Sequence, residues 1–365
     1  MSSTRQAGGI RDYDWWMMAI VFAICSMGVL EIWSATHASG LAGMHWKQVS
    51  WIGLGLAGMF LVSRLDYHAV LDKAPILYLI GLAALVLVLA AGHSRFGAKR
   101  WIPIFGQFLQ VSELVKLIII IAVARFFADV RSDRLSLGDL FKAGALVAVP
   151  LGLILLQPDL GTALVLVPVV AAGAFLAGLQ WKHAAALLLV CAMMVPVAWH
   201  SLKPYQKDRV TTFLRPEDDP KGSGYQILQS KIAVGSGGFW GKGLGNGSQN
   251  QLGFVPVRYS DFIVAALAEE LGFAGVFVAL ALYTALLLRL IQNAQRAKDR
   301  AGMFLVMGVA AILGFHVLVN VAMVIGFMPV TGIPLPLMSY GGSATLFVFL
   351  ALGLVMNVRL RRFVN

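Results

Sequence analysis

The stretch QVSELVKLIIIIAVARFFADVRSDR, residues 110–134, decides what kind of protein this is. Its middle, Leu117 to Ala124, carries no polar side chain, and the run over 109–127 is long and apolar enough to cross a bilayer. Only a helix satisfies its own backbone in hydrocarbon, so the run reads as a membrane-spanning helix. It ends on Arg125, Arg131 and Arg134, the basic signature of a short cytoplasmic loop. Near its start stand Glu113 and Lys116, three residues apart and therefore on one helix face. Ionisable groups are costly at that depth, which makes them functional candidates. They read equally as an internal ion pair or as a pair facing a substrate at a cavity rim.

The rest of the chain repeats this pattern. Of 365 residues, 59% are hydrophobic and 13% charged, against about 25% charged in soluble domains. One integral membrane domain over 1–365 accounts for the length better than two soluble ones. Ten apolar spans are expected, at roughly 15–35, 47–63, 75–92, 109–127, 143–157, 160–178, 184–200, 262–289, 302–326 and 343–358. The fold class is thus an all-α polytopic membrane protein, about ten transmembrane helices with one long loop, about 201–260, between the seventh and eighth. Cys25 and Cys191 both lie in apolar runs and suggest no disulfide framework. The N-terminus runs into the first span without a small-residue cleavage site, so that span is expected to be retained.

Alternate short loops are basic: Arg5 and Arg11, RLDYHAVLDK, RFFADVRSDR, LQWKH, RLIQNAQRAKDR and the tail RLRRFVN. The positive-inside rule puts these, and both termini, in the cytoplasm. The long loop then faces outward. It holds eight Lys and Arg against four Asp and Glu, among them Lys207, Arg209, Arg215, Lys242 and Arg258. Such an excess suits either a solvated surface or an anionic partner. Tyr225, Leu228, Gln229 and Ile232 recur at helical spacing, as in a short helix on the membrane surface. GSGGFWGKGLGNGSQ is glycine-rich but fails the phosphate-loop pattern, because Ser236 holds the first glycine position and Gly243 replaces the Ser/Thr. Its glycines suit tight turns and close backbone approach.

Other polar positions interrupt the apolar runs. In QPDLGT, Pro158 breaks one helix and Asp159 is placed to cap the next at the amide near Thr162. TGIPLPLMSYGGSA reads as a packed re-entrant loop before the last span. FVPVRYSDFIVAALAEELG, residues 254–272, puts Asp261 at the mouth of the eighth span, a natural N-cap position. Glu269 and Glu270 follow, roughly 12 Å deeper at 1.5 Å per residue. Asp261 is either a cap, with the glutamates as bundle glue, or a base beside a basic loop, with the glutamates as inner support.

Taken together, GAKRWIPIFGQFLQVSELVKL, QPDLGT, YQKDRVTTFLRPEDDPKGSGYQILQSKIAVGSGGFWGKGLGNGSQ, DFIVAALAEELG and TGIPLPLMSYGGSA resemble the SEDS family (shape, elongation, division and sporulation). They occur in the family's order and span nearly the whole chain. GKGLGNGSQNQL and the short N-terminus resemble the elongation branch more than the division branch. The resemblance implies ten spans, a large extracytoplasmic loop and residence in the cytoplasmic membrane. It implies polymerisation of lipid II into peptidoglycan glycan strands, in company with a class B penicillin-binding transpeptidase and other membrane proteins of the elongation complex. The family's essential acid lies in a motif like PERHTDF, which Asp261 matches within PVRYSDF. Val257, Tyr259 and Ser260 depart from that motif, while Trp101, Glu113, Lys116 and Asp159 match other characteristic positions.

On this reading Asp261 is a general base with nearby Arg258 and the helix dipole favouring its charged form, and the loop cations steady a departing pyrophosphate. Glu269 and Glu270 hold the helix and stay out of the proton transfer. Partners are lipid II and membrane lipid, with no role for nucleic acid. The sequence points to no particular cofactor, although a divalent cation, Mg or Mn, could bridge Asp261 to the pyrophosphate. Two other classes compete: a flippase for lipid-linked precursors, using Glu113, Lys116, Glu269 and Glu270 as a polar path, and a non-catalytic scaffold. A transporter calls for midplane charges on several spans and often inverted repeats. Here the polar residues gather toward the outer half and no repeat is apparent.

Overall fold

Every one of the ten apolar segments is helical in the computed structural model, which describes residues 12–37, 40–95, 98–104, 107–130, 134–202, 204–219 and 222–362. Arg5, Arg11, Arg131, Lys203 and Lys221, which enter the charge pattern, lie outside the described residues. The chain runs α1 (Trp15–Thr36), α2 (Met44–Arg64), α3 (Tyr67–Asp72), α4 (Ala74–Ala91), α5 (Val111–Asp129) and α6 (Leu137–Leu156). It continues through α7 (Leu160–Val165), α8 (Val167–Leu176), α9 (Trp181–Ser201), α10 (Pro204–Leu214), α11 (Ser223–Ser236) and α12 (Ser248–Gln251). The last helices are α13 (Ile263–Gln295), α14 (Arg300–Val324) and α15 (Gly342–Arg361). Among the described residues, α1, α4, α6, α13, α14 and α15 are long and apolar enough to cross a membrane. Shorter apolar helices cover Leu160–Leu176 and Trp181–Pro196. Glu113, Lys116 and Arg125 keep α5 out of that set.

The all-helical expectation needs one correction. The connection between the third and fourth spans, with the first two residues expected in the fourth, forms a three-stranded antiparallel sheet of β1 (His93–Arg95), β2 (Ala98–Ile104) and β3 (Gln107–Gln110). Trp101 lies opposite His93 on one side and Gln110 on the other. The ladder pairs peptide groups that a connection lying across the helix ends would otherwise leave unsatisfied.

The core lies along α14 and α15, whose residues are buried on most faces. They pack with α2, α5, α8 and α13. In lipid the hydrophobic effect does not drive such contacts, so close approach of small residues matters. On α15, Gly353 lies so near α2 that a Cβ there would stand 2.9 Å from the Met59 carbonyl oxygen. By contrast α9 is exposed along most of its length, with Trp181, Leu188 and Val195 open. The expected helix around Tyr225–Ile232 is present as α11.

Candidate active site

Beside the start of α13, residues 259–261 meet Arg100 of β2, Arg209 of α10, Asn320 of α14 and the irregular stretch between α14 and α15. Asp261 is half-buried just before α13. It does not cap the helix, because the N-cap is Phe262 and no side chain accepts there. Its Oδ1 instead accepts from the Ser260 hydroxyl at 3.0 Å. Burial pushes its carboxyl above the usual range, against the pull of that hydroxyl and of the Arg100 and Arg209 charges. The cations differ from expectation as well. Arg258 Nε donates to the Ala35 carbonyl at 3.0 Å, so the Arg258 guanidinium is engaged with α1. Arg100 on β2 and Arg209 on α10 supply the positive field at Asp261.

The peptide around Asp261 is gripped firmly. Asn320 on α14 donates through Nδ2 to the Asp261 carbonyl at 2.9 Å and to the Ile333 carbonyl at 2.8 Å. Ser339 donates to the Ser260 carbonyl at 2.6 Å, and the Tyr340 amide to the Tyr259 carbonyl at 2.9 Å. Gly332 holds φ +71°, and a Cβ there would meet Asp261 Oδ2 at 3.4 Å. The backbone is fixed from several sides while the carboxylate keeps open lone pairs.

Asp159 behaves as its sequence context suggests. It caps α7 by accepting from the Thr162 amide at 3.2 Å. It also accepts from the Thr162 hydroxyl at 2.9 Å and Gln110 Nε2 at 2.7 Å, and pairs with Arg100 Nη1 at 3.3 Å. Arg100 therefore joins Asp159 to the electrostatic surroundings of Asp261. Its Nε and the indole Nε1 of neighbouring Trp101 are buried without a hydrogen-bond partner in the protein. Glu113 and Lys116 form a buried ion pair at 2.8 Å. Lys116 also reaches His316 Nε2 at 3.2 Å and lies 4.3 Å from the centre of the Phe347 ring.

Glu269 and Glu270 lie in the first part of α13, ahead of a kink. Gly272, at φ 65° and ψ −165°, breaks α13 after them. A Cβ at Gly272 would stand 2.3 Å from the Gly241 amide nitrogen, so only glycine allows this approach. Glu269 accepts from Lys242 Nζ at 2.7 Å and from the amides of Gln249 and Asn250, each at 2.9 Å. Glu270 accepts from the Ser34 hydroxyl at 2.5 Å, the Gly245 amide at 3.0 Å and Asn250 Nδ2 at 2.5 Å. The pair staples the glycine-rich segment to α13 and α1, and Lys242 is committed to that staple. Arg215 lines a hollow of about 590 Å³ with Asp208, Thr211, Thr212 and Asp219, while Lys207 lies on α10 with Arg209.

Several residues here escaped the sequence reading: Arg100, Gln110, His316, Asn320 and Glu31. His316 and Asn320 are polar groups inside an apolar run, four apart on one face, and that signal was available. Glu31 is a carboxylate in α1, 1% exposed, with no partner for either oxygen. Among the described residues no three His, Cys, Asp or Glu side chains gather to hold a metal. Asp261 offers one carboxylate, too few ligands for a resident ion, so a cation there would depend on the phosphates of a bound substrate.

A family model described as cell cycle protein, covering FtsW, RodA and SpoVE, matches residues 15–362. The chain belongs to this family. Among curated members, it is 40% identical over 348 residues to the peptidoglycan glycosyltransferase MrdB of Escherichia coli, covering 95% of this chain and 93% of that one. RodA of Treponema pallidum, also called a peptidoglycan glycosyltransferase, is 31% identical, with 97% of this chain and 99% of that one covered. Among solved structures, a chain from work on the coordination of polymerization and crosslinking by a peptidoglycan synthase complex matches with TM-score 0.83. It is 37% identical, covering 97% of this chain and 99% of that one. RodA of Thermus thermophilus matches with TM-score 0.73 at 31% identity, covering 97% and 98%.

The three departures from the FtsW/RodA/SpoVE motif now have physical descriptions. Ser260 is the hydrogen-bond donor to the acid, and Tyr259 is anchored through its carbonyl with its ring edge-on to Tyr340 at 6.0 Å. Val257 holds φ +50°, a conformation that a β-branched residue adopts at a cost.

Proposed function

We propose that this member of the FtsW/RodA/SpoVE family is a peptidoglycan glycosyltransferase that polymerises lipid II during cell elongation. It would cross the cytoplasmic membrane ten times, with both termini inside and residues 201–260 outside. A class B penicillin-binding transpeptidase would work beside it. The carrying observation is Asp261, a half-buried acid with a fixed backbone, one hydroxyl partner, and the charges of Arg100 and Arg209 around it. That arrangement suits a general base whose substrate brings a pyrophosphate.

In the reaction, Asp261 takes the proton of the acceptor sugar hydroxyl as its oxygen bonds to the donor anomeric carbon. The bond from that carbon to the lipid pyrophosphate breaks, and its electron pair leaves on the phosphate oxygen. Arg100 and Arg209, whose charges reach Asp261, would stabilise that charge, with Lys116 behind them as a buried cation paired to Glu113. A single carboxylate suits direct displacement with inversion; two close ones would have suited a covalent route, by analogy with hydrolases.

The test supplies labelled lipid II to the purified protein in vesicles, with and without the transpeptidase. Polymer is the expected product. Translocated but unpolymerised lipid would establish the flippase reading instead, and neither product would leave a scaffold.

A further inference from the structure

His316 sits where two lines of contact meet. Its Nε2 lies 3.2 Å from Lys116 Nζ, and its Nδ1 lies 3.1 Å from the Pro334 carbonyl. An ammonium only donates and a carbonyl only accepts. Nδ1 must therefore carry the proton and Nε2 the lone pair, which fixes a neutral ring in one tautomer. The ring is buried, 4% exposed, so no water is needed to complete it.

One turn further along α14, Asn320 grips the adjacent carbonyl, Ile333, at 2.8 Å, and the Asp261 carbonyl at 2.9 Å. Residues 316 and 320 share a helix face. Two neighbouring carbonyls of the irregular stretch before α15 thus register Lys116 and Asp261 against one rigid helix.

We propose that His316 is a positioning residue: it aims the Lys116 ammonium and, together with Asn320, sets its spacing from Asp261. This rests on the roles given above to Lys116 and Asp261. Phe347 and Glu113 hold two other sides of the ammonium, at 4.3 Å and 2.8 Å. His316 supplies a third restraint and the tie to the acid.

The chemistry predicts which substitution is tolerated. A glutamine offers one acceptor and one donor, the two roles the neutral ring plays; a leucine offers neither. In the polymerisation assay with full-length protein and its transpeptidase, His316→Gln stays near wild type. His316→Leu lowers kcat by roughly 10- to 100-fold, the scale of a misplacement by about 1 Å. Combined with Lys116→Met, His316→Leu adds no further loss, since both act through one group. The proposal is overturned if His316→Leu retains wild-type kcat, if His316→Gln is as impaired as His316→Leu, or if the losses add.

A fully active Lys116→Met removes the underlying role of Lys116, and this inference with it, which is a different outcome from an active His316→Leu. Should His316→Leu not fold, nitrogen-15 spectra of histidine-labelled protein decide, with His316→Gln giving the assignment. The expected ring is protonated at Nδ1 only, with an Nε2 resonance that moves in Lys116→Met. An imidazolium, or a proton on Nε2, overturns it.

Discussion

Two acids stand just before two helices of this molecule, and they are treated in opposite ways. Asp14 precedes α1 and Asp261 precedes α13. Asp14 is fully buried and saturated: Arg289 Nε reaches both oxygens at 2.9 Å, Asn293 and Arg359 donate at 2.8 and 3.2 Å, and the Met17 amide caps it. Burial pushes the Asp14 carboxyl up, but Arg289, Asn293, Met17 and Arg359 outweigh it, leaving the group below the usual range. Asp261 has one hydroxyl, and burial wins. A carboxylate whose lone pairs are all taken is a bolt; one with lone pairs to spare can accept a proton.

The sharpest way to break that contrast is to neutralise each acid. Asp261→Asn keeps the shape and the Ser260 contact but loses basicity. Polymerisation should fall by roughly 10² to 10⁴, the worth of general-base help, while the thermal midpoint stays near wild type. Near-normal polymerisation would mean that the base is another group.

Asp14→Ala should do the reverse. It leaves Arg289 and Arg359, both partly buried, without their counter-charge, a loss of about 3 kcal/mol, the lower end for a buried pair. Thermal unfolding in detergent would read this, while activity per folded molecule is retained. A variant that is stable but inactive would move Asp14 into the functional class.

How much of this was legible beforehand follows from which interactions are local. Helices announce themselves by apolar runs, and the Asp159 cap lies within four residues of its partner Thr162, so both could be read from the chain. The strands of 93–110 could not, because their pairing is set by the helix ends they must cross between. The partners of Glu269 and Glu270 were hidden for a similar reason. The apolar run suggests a straight helix, whereas Gly272 kinks α13 against Gly241, thirty-one positions earlier, where the glycine-rich segment meets the two acids. Arg258 misled by adjacency: three residues from Asp261 in sequence, it is engaged with Ala35, while Arg100 and Arg209 come from far along the chain.

Glu31 extends the comparison to a third kind of acid, buried with no partner at all. A group in that state costs stability, and none of the contacts around Asp261, Asp159 or Lys116 depends on it. Glu31→Leu should therefore stabilise the protein by about 1–3 kcal/mol and leave polymerisation unchanged. Destabilisation would show that the carboxylate has a bound partner, and a loss of activity would give it work to do.

The smallest effect concerns where activity lies on the pH axis. Asp261 must be ionised to act as a base, so activity falls as pH drops through its carboxyl pKa. Burial raises that pKa, which places the acid limb above the range of an ordinary aspartate. Arg100 and Arg209 pull the other way by favouring the charged form. Removing one of them should let burial win further, so Arg100→Gln moves the acid limb of kcat/KM to higher pH. The height of the profile will fall too, because Arg100 pairs with Asp159 at 3.3 Å and, in the proposed mechanism, meets the leaving pyrophosphate. The position of the limb, not its height, carries the test. Stability runs the opposite way: a carboxyl raised on folding favours the folded state at low pH, and this contribution is lost as pH rises through the raised value. An acid limb that stays put in Arg100→Gln, or moves to lower pH, would mean that the titrating base does not feel Arg100 and is not Asp261.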